Sequence, residues 1–372
     1  MSARRGVGAL GDDLRAVAVP WLTARALLVA AYLVGVAAAD RLVPGDEPSA
    51  LSEGLVAWDG TWYRDIAIGG YHSLPDEALR FFPLFPLLGR ALSVVTAGRE
   101  DVALVIIANL ASLALAVAVR RLVRSERGNA ALADRAVWMV CLFPGAFVLA
   151  WAYAEAIWLL AAVALFWGVR SRRWWWAAAA GVVAGASRPL GIALAVPAAI
   201  ELARVWRSAR AEERAAGLAS VVSPFVGTGA FLLWTQGSYG DAWLPFSTQG
   251  PLRGDSVDPI SRLWDGVSDL VGPERFADGL HVPFAVAFVV LLVLTFRWWP
   301  VSYGAFAAVV LVVALGADNL NSLERYGLNA FPLALTLGVL ATDARVDKVV
   351  TTVLGGGFVA LASLAWLGAY VP

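Results

Sequence analysis

Long apolar segments recur along almost the whole chain and restrict its fold more than any other feature. A transmembrane helix needs about 20 mainly apolar residues, and fewer where other helices surround it. About eleven such segments are present: residues 17–39, 102–121, 133–150, 153–169, 174–187, 189–204, 215–235, 281–297, 301–316, 326–342 and 349–370. A soluble domain with the mean hydropathy of +0.69 would expose large apolar patches. The sequence therefore predicts an all-α polytopic membrane protein with about 11 transmembrane helices.

The rest of the composition excludes several functions. Basic and acidic residues number 29 each, and no dense Lys/Arg tract is present, so we expect no nucleic-acid partner. Cys141 is the only cysteine, which excludes an intrachain disulfide and a cysteine-based metal site. No repeat of fixed period and no low-complexity linker divides the chain. We expect one integral membrane domain over residues 1–372.

Arginine-rich clusters predict which side of the membrane each loop occupies, because short cytoplasmic loops are enriched in Lys and Arg. The clusters are Arg4, Arg5 and Arg15; Arg120, Arg121, Arg124 and Arg127; Arg170, Arg172 and Arg173; Arg204, Arg207, Arg210 and Arg214; Arg297; and Arg345 with Lys348. All fall on one side if residues 81–97, which contain two prolines and an arginine, form a re-entrant or interfacial helix. We therefore expect a multi-pass protein of the cell membrane with a cytoplasmic N-terminus. The extracytoplasmic loops would be residues 40–100 and 236–280.

The first predicted outer loop is dense in polar and aromatic side chains. These are Trp58, Asp59, Gly60, Thr61, Trp62, Tyr63, Arg64, Asp65, Tyr71 and His72. Helical spacing over residues 61–68 predicts a short interfacial helix with Trp62 and Ile66 near the lipid. Asp59 would then lie at the start of this helix, where its carboxylate could cap backbone N–H groups, act in catalysis, or do both.

Further ionisable residues are predicted on the same side, within or close to the membrane. They are Glu155, Arg188, Asp318, Glu324 and Arg325. A charge in mid-membrane costs about 2.5–3.5 kcal/mol on insertion scales, so charges that remain tend to pair with one another or to serve a site. One interpretation is that these residues pair with one another for structural reasons, for example Glu155 with Arg188. Their shared side with Asp59 favours a functional site.

An outer carboxylate, outer arginines and aromatic walls suit transfer from a lipid-borne phosphate ester. A carboxylate can take the proton of an acceptor hydroxyl, arginines can bind the departing phosphate, and aromatic faces can hold a sugar ring. The sequence has no Gly-rich phosphate loop after a strand and no G-x-S-x-G motif, so a soluble nucleotide donor is not expected. His72 and His281 are the only histidines and form no known metal spacing. We expect no cofactor, with a bound divalent metal as the alternative.

The order of the motifs resembles the PIG-V family, which comprises the second GPI mannosyltransferase and its prokaryotic relatives. The resemblance is most specific in residues 58–87, through Trp58-Asp59-Gly60, Trp62-Tyr63, Ile66-Ala67, Gly70-Tyr71, Phe81-Phe82-Pro83-Leu84 and Pro86-Leu87. Shorter matches follow in the order of the family: Phe143-Pro144, Tyr153 with Glu155, Arg172-Arg173-Trp174, Gly181, Ser187-Arg188-Pro189-Leu190-Gly191, Glu324-Arg325-Tyr326 and Phe331-Pro332.

This resemblance implies a GT-C type glycosyltransferase fold, with short interfacial or re-entrant helices in the first outer loop. It also implies mannose transfer from polyprenyl-phosphate mannose, with inversion, on the extracytoplasmic face. The expected partners are a polyprenyl-phosphate-linked sugar donor, a lipid or glycan acceptor, and membrane lipids. No GPI anchor is built in a bacterium, so there the acceptor would be a different molecule.

The resemblance makes the acid of the first outer loop the general base, which is Asp59 here, with Asp65 as the second choice. Position alone suggests Arg64, Arg188 and Arg325 as phosphate or sugar contacts and Glu155 as a contact to hydroxyl groups. The remaining candidates for substrate binding are Trp58, Tyr63, Asp65, His72 and Glu324.

Two other functions remain open. A transporter or flippase of a lipid-linked sugar would place ionisable residues near the bilayer midplane, often in two related halves. The predicted clustering at one face argues against it. A GT-C enzyme could also use another polyprenyl-phosphate sugar, such as an arabinosyl or glucosyl donor, because only the family resemblance points to mannose.

Overall fold

A computed structural model describes residues 2–42, 48–250, 254, 257–269 and 278–372. Helices and short connections form this part of the chain, which confirms the all-α prediction. Parts of both predicted outer loops, residues 43–47, 251–253, 255–256 and 270–277, lie outside the described residues. The division into one domain and the orientation in the membrane stay predictions.

The α-helices of the described ranges are α1 (Ser2–Leu42), α2 (Ser49–Glu53), α3 (Asp59–Gly69), α4 (Leu84–Ser93), α5 (Glu100–Arg127), α6 (Ala130–Cys141), α7 (Glu155–Arg170), α8 (Trp174–Ser187), α9 (Ala195–Val205), α10 (Ala211–Tyr239), α11 (Leu244–Ser247), α12 (Pro259–Asp269), α13 (Val282–Trp298), α14 (Val301–Leu315), α15 (Leu323–Asn329), α16 (Pro332–Leu340) and α17 (Ala344–Trp366). The 3₁₀ helices are Gly54–Val56, Tyr71–Ser73, Asp76–Arg80, Ala146–Leu149, Pro189–Leu194 and Asp278–His281.

Each of the eleven predicted apolar segments contains helix, but the segments differ in length and continuity. Within the described residues, five helices are long and apolar enough to cross a membrane by themselves, in α1, α5, α10, α13 and α17. Segment 189–204 begins as a 3₁₀ helix before α9, and segment 326–342 is divided between α15 and α16. The chain is a multi-pass membrane protein, while the number of eleven transmembrane helices is not established by these lengths.

The break between α15 and α16 follows from Pro332. Proline has no N–H to donate and disfavours helical backbone in the residue before it, so a helix ends ahead of it. α15 therefore stops at Asn329, and α16 starts anew at Pro332. The result is a separate seven-residue helix that carries Glu324 and Arg325.

The first predicted outer loop contains several short helices, of which α3 and α4 lie against α5. The ten residues of α4 rise only about 15 Å, so this helix is too short to cross the hydrocarbon core. α3 matches the helix predicted for residues 61–68. The expected lipid contact of its Ile66 is wrong, because Ile66 is buried against α4 and α5, and Trp62 stacks on Phe81 at 5.7 Å between ring centroids.

Small residues let α8 and α10 pack closely. A Cβ atom on Gly185 would overlap the carbonyl of Pro224, and one on Gly227 would overlap the carbonyl of Val182. This contact fixes the end of α8, the point at which Arg188 leaves the helix.

Candidate functional site

Two acidic and two basic side chains form a continuous chain of ion pairs. The Arg325 Nη1 atom donates to Asp59 Oδ2 at 2.5 Å and lies 3.3 Å from Glu155 Oε1. Arg188 Nη1 pairs with the same Glu155 oxygen. The charges of this ion-pair quartet, Asp59–Arg325–Glu155–Arg188, sum to zero. The predicted pairing of Glu155 with Arg188 is confirmed.

The members of the quartet differ in their access to solvent. The Glu155 side chain is 1% exposed, whereas that of Asp59 is 32% exposed. Only Oδ2 of Asp59 accepts a hydrogen bond from the described part of the chain. Asp59 therefore has a second carboxylate oxygen free to contact a bound molecule. Glu155 is buried and contacts the two arginines.

Asp59 is the first residue of α3, and its carboxylate does not cap the helix. Trp58 occupies the N-cap position, and no side-chain hydrogen bond closes this helix end. The capping role considered for Asp59 is therefore wrong, because its carboxylate turns to Arg325 instead. Its backbone N–H donates to the Tyr153 hydroxyl oxygen at 3.2 Å.

The backbone of Trp58 is held in a conformation that only glycine adopts readily, with φ of 59° and ψ of −123°. Such a residue costs of order 1–3 kcal/mol and persists where the surroundings enforce it. Here the indole Nε1 donates to the carbonyl of Ala365 at 2.9 Å, which anchors the start of α3 to the end of α17. The strain lies directly beside Asp59, as is common at functional sites.

Arg188 projects from an extended residue between α8 and a 3₁₀ helix. Its φ of −158° and ψ of 150° follow from the proline at position 189, which excludes helical backbone in the preceding residue. The side chain therefore leaves the axis of α8 and reaches Glu155, the first residue of α7.

Arg325 is positioned by a close contact of its backbone with Gly145. A Cβ at position 145 would lie 2.8 Å from both Arg325 N and the Glu324 carbonyl oxygen, so no larger residue fits there. Burial disfavours the charge of this guanidinium, but Asp59 and Glu155 outweigh that effect, and the pKa of Arg325 is raised well above its ordinary value. Arg325 is therefore a permanent cation.

Glu324 points away from the quartet into a second buried cluster. His281 Nδ1 lies 3.0 Å from both oxygens of its carboxylate, and the Tyr370 hydroxyl donates to Oε2 at 2.9 Å. This cluster ties α15 to the start of α13 and to the end of the described chain. Glu324 thus anchors α15 on one side, and the next residue, Arg325, extends from the other side into the quartet.

A cavity of about 1290 Å³ opens beside the quartet. Asp59, Arg188 and Arg325 lie in its wall, together with aromatic and further polar side chains. The aromatic residues of this wall are Trp58, Trp62, Tyr63, Phe81, Phe246 and Tyr326. The polar ones include Glu53, Thr61, Arg80, Gln249, Asn319, Asn321 and Ser322.

The cavity continues into an apolar groove between the 3₁₀ helix at 189–194, α9, α10 and α14. Its residues are Leu190, Ile192, Ala193, Val196, Phe225, Val309 and Val313. Phe225 and Val313 are exposed where they line this groove. A ligand with a charged head and a long apolar tail would match this arrangement.

The structure brings some of the predicted residues to the cavity and leaves others outside its wall. Trp58, Asp59, Tyr63, Arg188 and Arg325 line it, with Glu155 directly behind. Four lie elsewhere: Arg64 and Asp65, which pair with each other at 2.8 Å; His72, which stacks on Tyr239 at 5.0 Å; and Glu324.

Sequence reasoning gave no role to Arg80 or Tyr153, although both belong to the site. The signal for Arg80 was its place immediately before Phe81-Phe82-Pro83. Tyr153 was part of a matched motif, but nothing in the sequence related it to Asp59. To assign Arg80 and Tyr153 to the site, one would have to know which loops meet in the folded chain.

Comparisons with known proteins show distant similarity to solved structures only. No protein-family model and no curated protein sequence matches this chain. Among solved structures, it is similar to the archaeal oligosaccharyltransferase AglB from Archaeoglobus fulgidus, in complex with an inhibitory peptide and a dolichol-phosphate. The TM-score is 0.43 at 12% identity, over 93% of this chain and 54% of AglB, so the chain spans about half the length of that protein. A similarity at this level does not assign an activity.

Proposed function

We propose that this protein is a GT-C type membrane glycosyltransferase that transfers mannose from polyprenyl-phosphate mannose to a lipid or glycan acceptor. The observation that carries the proposal is one continuous cavity that joins Asp59 and two arginines to an apolar groove. The groove suits a polyprenyl chain, and the polar end suits a sugar phosphate. The choice of mannose comes from the PIG-V resemblance of residues 58–87.

The reaction is a single displacement at the anomeric carbon. The acceptor hydroxyl oxygen forms a bond to this carbon while the bond from the carbon to the phosphate oxygen breaks. The hydroxyl proton passes to the free carboxylate oxygen of Asp59, and the electron pair leaves with the polyprenyl phosphate, which gains one negative charge. Asp59 then returns the proton to water.

The burial of Glu155 favours inversion at the sugar. A retaining double displacement needs a second carboxylate that attacks the anomeric carbon. Glu155 is the other acid of the quartet, and with 1% exposure behind two arginines it does not reach a substrate in the cavity. Asp59 is then the acid of the quartet that acts on the acceptor, and the product has the opposite anomeric configuration to the donor.

The test is transfer by purified protein in lipid nanodiscs, supplied with radiolabelled polyprenyl-phosphate mannose and a membrane lipid extract. We expect a labelled product with wild type, and a rate at least about a hundredfold lower with Asp59→Asn. Asp65→Asn is the matched variant, because it removes an acid of the same helix that lies outside the cavity wall.

Four results would change the assignment. Equal turnover by wild type and Asp59→Asn would exclude Asp59 as the base. Loss of turnover in Asp65→Asn alone would move that role to Asp65. Transfer from the glucosyl or arabinosyl donor but not from the mannosyl donor would correct the sugar, and flipping of the labelled lipid without transfer would favour a transporter.

A further inference from the structure

Arg80 is the cation of the cavity wall that has no ionic partner among the residues that the structure describes. Arg188 and Arg325 are already neutralised within the quartet. In the described part of the chain, no carboxylate lies within salt-bridge distance of Arg80. The other charged residue of the wall outside the quartet is Glu53, at the end of α2. It also has no ion-pair partner among the described residues.

Two aromatic rings lie beside the Arg80 guanidinium. Its Cζ atom lies 5.7 Å from the ring centroid of Trp62 and 5.4 Å from that of Phe81. A cation at this distance is attracted to an aromatic face, and the N–H groups of a guanidinium can bind two oxygens of one phosphate. Burial lowers the pKa of Arg80, and Asp59 and Glu77 offset only part of this effect. This is typical of a half-buried cation without an adjacent anion.

We propose that Arg80 binds the phosphate of the prenyl-phosphate ligand. This inference rests on the proposed function and extends it, because it gives the three arginines of the cavity wall different roles. Arg188 and Arg325 hold Asp59 and Glu155 in place, while Arg80 supplies the one positive charge that a phosphodiester needs. It also meets the extra negative charge that develops on the leaving phosphate.

Binding of farnesyl phosphate and of farnesol to protein in nanodiscs tests this role without turnover. We expect Arg80→Gln to bind farnesyl phosphate about ten- to a hundredfold more weakly than wild type and to bind farnesol equally well. Arg80→Lys should recover part of the affinity. Arg90→Gln is the matched control, because it removes an exposed arginine of α4 outside the cavity wall. Equal elution volumes in gel filtration check that each variant is folded.

The outcomes separate this inference from the proposed function. If wild type does not prefer farnesyl phosphate to farnesol, the proposed function fails with it. If wild type shows the preference and Arg80→Gln keeps it, while Arg188→Gln loses it, the phosphate site lies at the quartet and the role of Arg80 is overturned.

A second inference comes independently from α12, which has one buried face, one polar exposed face and one apolar exposed face. Arg262, Leu263 and Gly266 face the protein, where Arg262 pairs with Asp278. A second face is polar and exposed, with residues Ser261, Asp265 and Ser268. The third is apolar and exposed, with Ile260 at 77%, Trp264 at 78% and Val267 at 52%.

We infer that α12 lies in the interfacial layer of the lipid bilayer, with Ile260, Trp264 and Val267 in the lipid. α12 belongs to the connection from α10 to α13, and these two helices are candidate membrane spans, so we expect the connection to begin and end at the membrane surface. A tryptophan-bearing apolar stripe beside a polar one is typical of helices that lie in the bilayer interface. The Val257 N–H donates to the Gly316 carbonyl at 3.1 Å, which couples this region to the turn that precedes Asn319 in the cavity wall.

Single cysteines in a Cys141→Ala background test this position by fluorescence quenching of an attached dye in phosphatidylcholine vesicles. We expect a dye at Trp264→Cys to be quenched at least twofold more by doxyl-labelled lipid than by aqueous iodide. The order should reverse at Ser261→Cys, the control on the polar face. Quenching of both sites by iodide would overturn the inference. Protection of Trp264→Cys from both quenchers would do so as well, because it would indicate a protein partner or a second copy of the chain.

Discussion

Arg325 donates to the Asp59 carboxylate at 2.5 Å although the two residues are 266 positions apart in the chain. The contact joins the start of α3 to the short helix α15, and Glu155 joins from the start of α7. Ion pairs thereby link three segments that are distant in the sequence. The predictions below follow from this arrangement.

Removing the positive charge of Arg325 will destabilise the protein as well as inactivate it. In Arg325→Met, Asp59 and the buried Glu155 lose a shared partner, and breaking a buried ion pair costs about 3–5 kcal/mol. We expect a lower thermal unfolding midpoint in detergent. The double variant Arg325→Met/Asp59→Asn should recover part of the loss, because it also removes the carboxylate charge left without a partner and keeps the Glu155–Arg188 pair. No recovery in the double variant would show that the two residues are not coupled.

Gly145→Ala will reduce activity by displacing Arg325. The new Cβ would lie 2.8 Å from the backbone of Glu324 and Arg325, so α15 must shift. Because small displacements of catalytic groups reduce turnover strongly, we expect at least a tenfold lower rate in the transfer assay. Gly229→Ala in α10 is the control, since a Cβ there meets nothing within 4 Å. Equal rates for both variants would contradict the proposed tight contact.

Tyr370→Phe will lower stability more than it lowers activity. The change removes the hydroxyl that donates to buried Glu324 at 2.9 Å and leaves the carboxylate with His281 as its remaining partner in the cluster. Losing a hydrogen bond to a buried charged group costs about 1.5–3 kcal/mol. We expect a lower unfolding midpoint, and a turnover per folded molecule within about threefold of wild type. A large loss of turnover at unchanged stability would place Tyr370 in the chemistry instead.

A chelator will leave the transfer rate unchanged. In the described residues, no three His, Cys, Asp or Glu side chains converge in a way that could hold a metal ion, and the acids of the quartet already have arginine partners. We therefore expect equal rates with and without EDTA. A rate that falls with EDTA and returns with added Mg²⁺ or Mn²⁺ would establish the alternative of a bound divalent metal.

The sequence by itself determined the all-α membrane character, the helical segments and the loop that contains the candidate base. These depend on local properties, because the length and apolarity of a segment decide whether it enters a bilayer. Sequence reasoning also named Glu155 and Arg188 as a pair, since each is an ionisable residue next to a predicted span on the same side. It could not exclude a capping role for Asp59, because a residue at the start of a helix can either cap it or face elsewhere.

Only the tertiary structure decided which of the charged residues work together. Arg64 and Arg80 both belong to the first predicted outer loop, yet Arg64 pairs with its neighbour Asp65, whereas Arg80 lines the cavity and has no ion pair within the described ranges. Glu324 and Arg325 are consecutive but point into separate clusters, because adjacent residues of a helix lie about 100° apart around its axis. Helical periodicity gives the spacing of side chains around one axis. Which neighbouring helix each face meets depends on how distant segments pack, and that information is absent from local sequence.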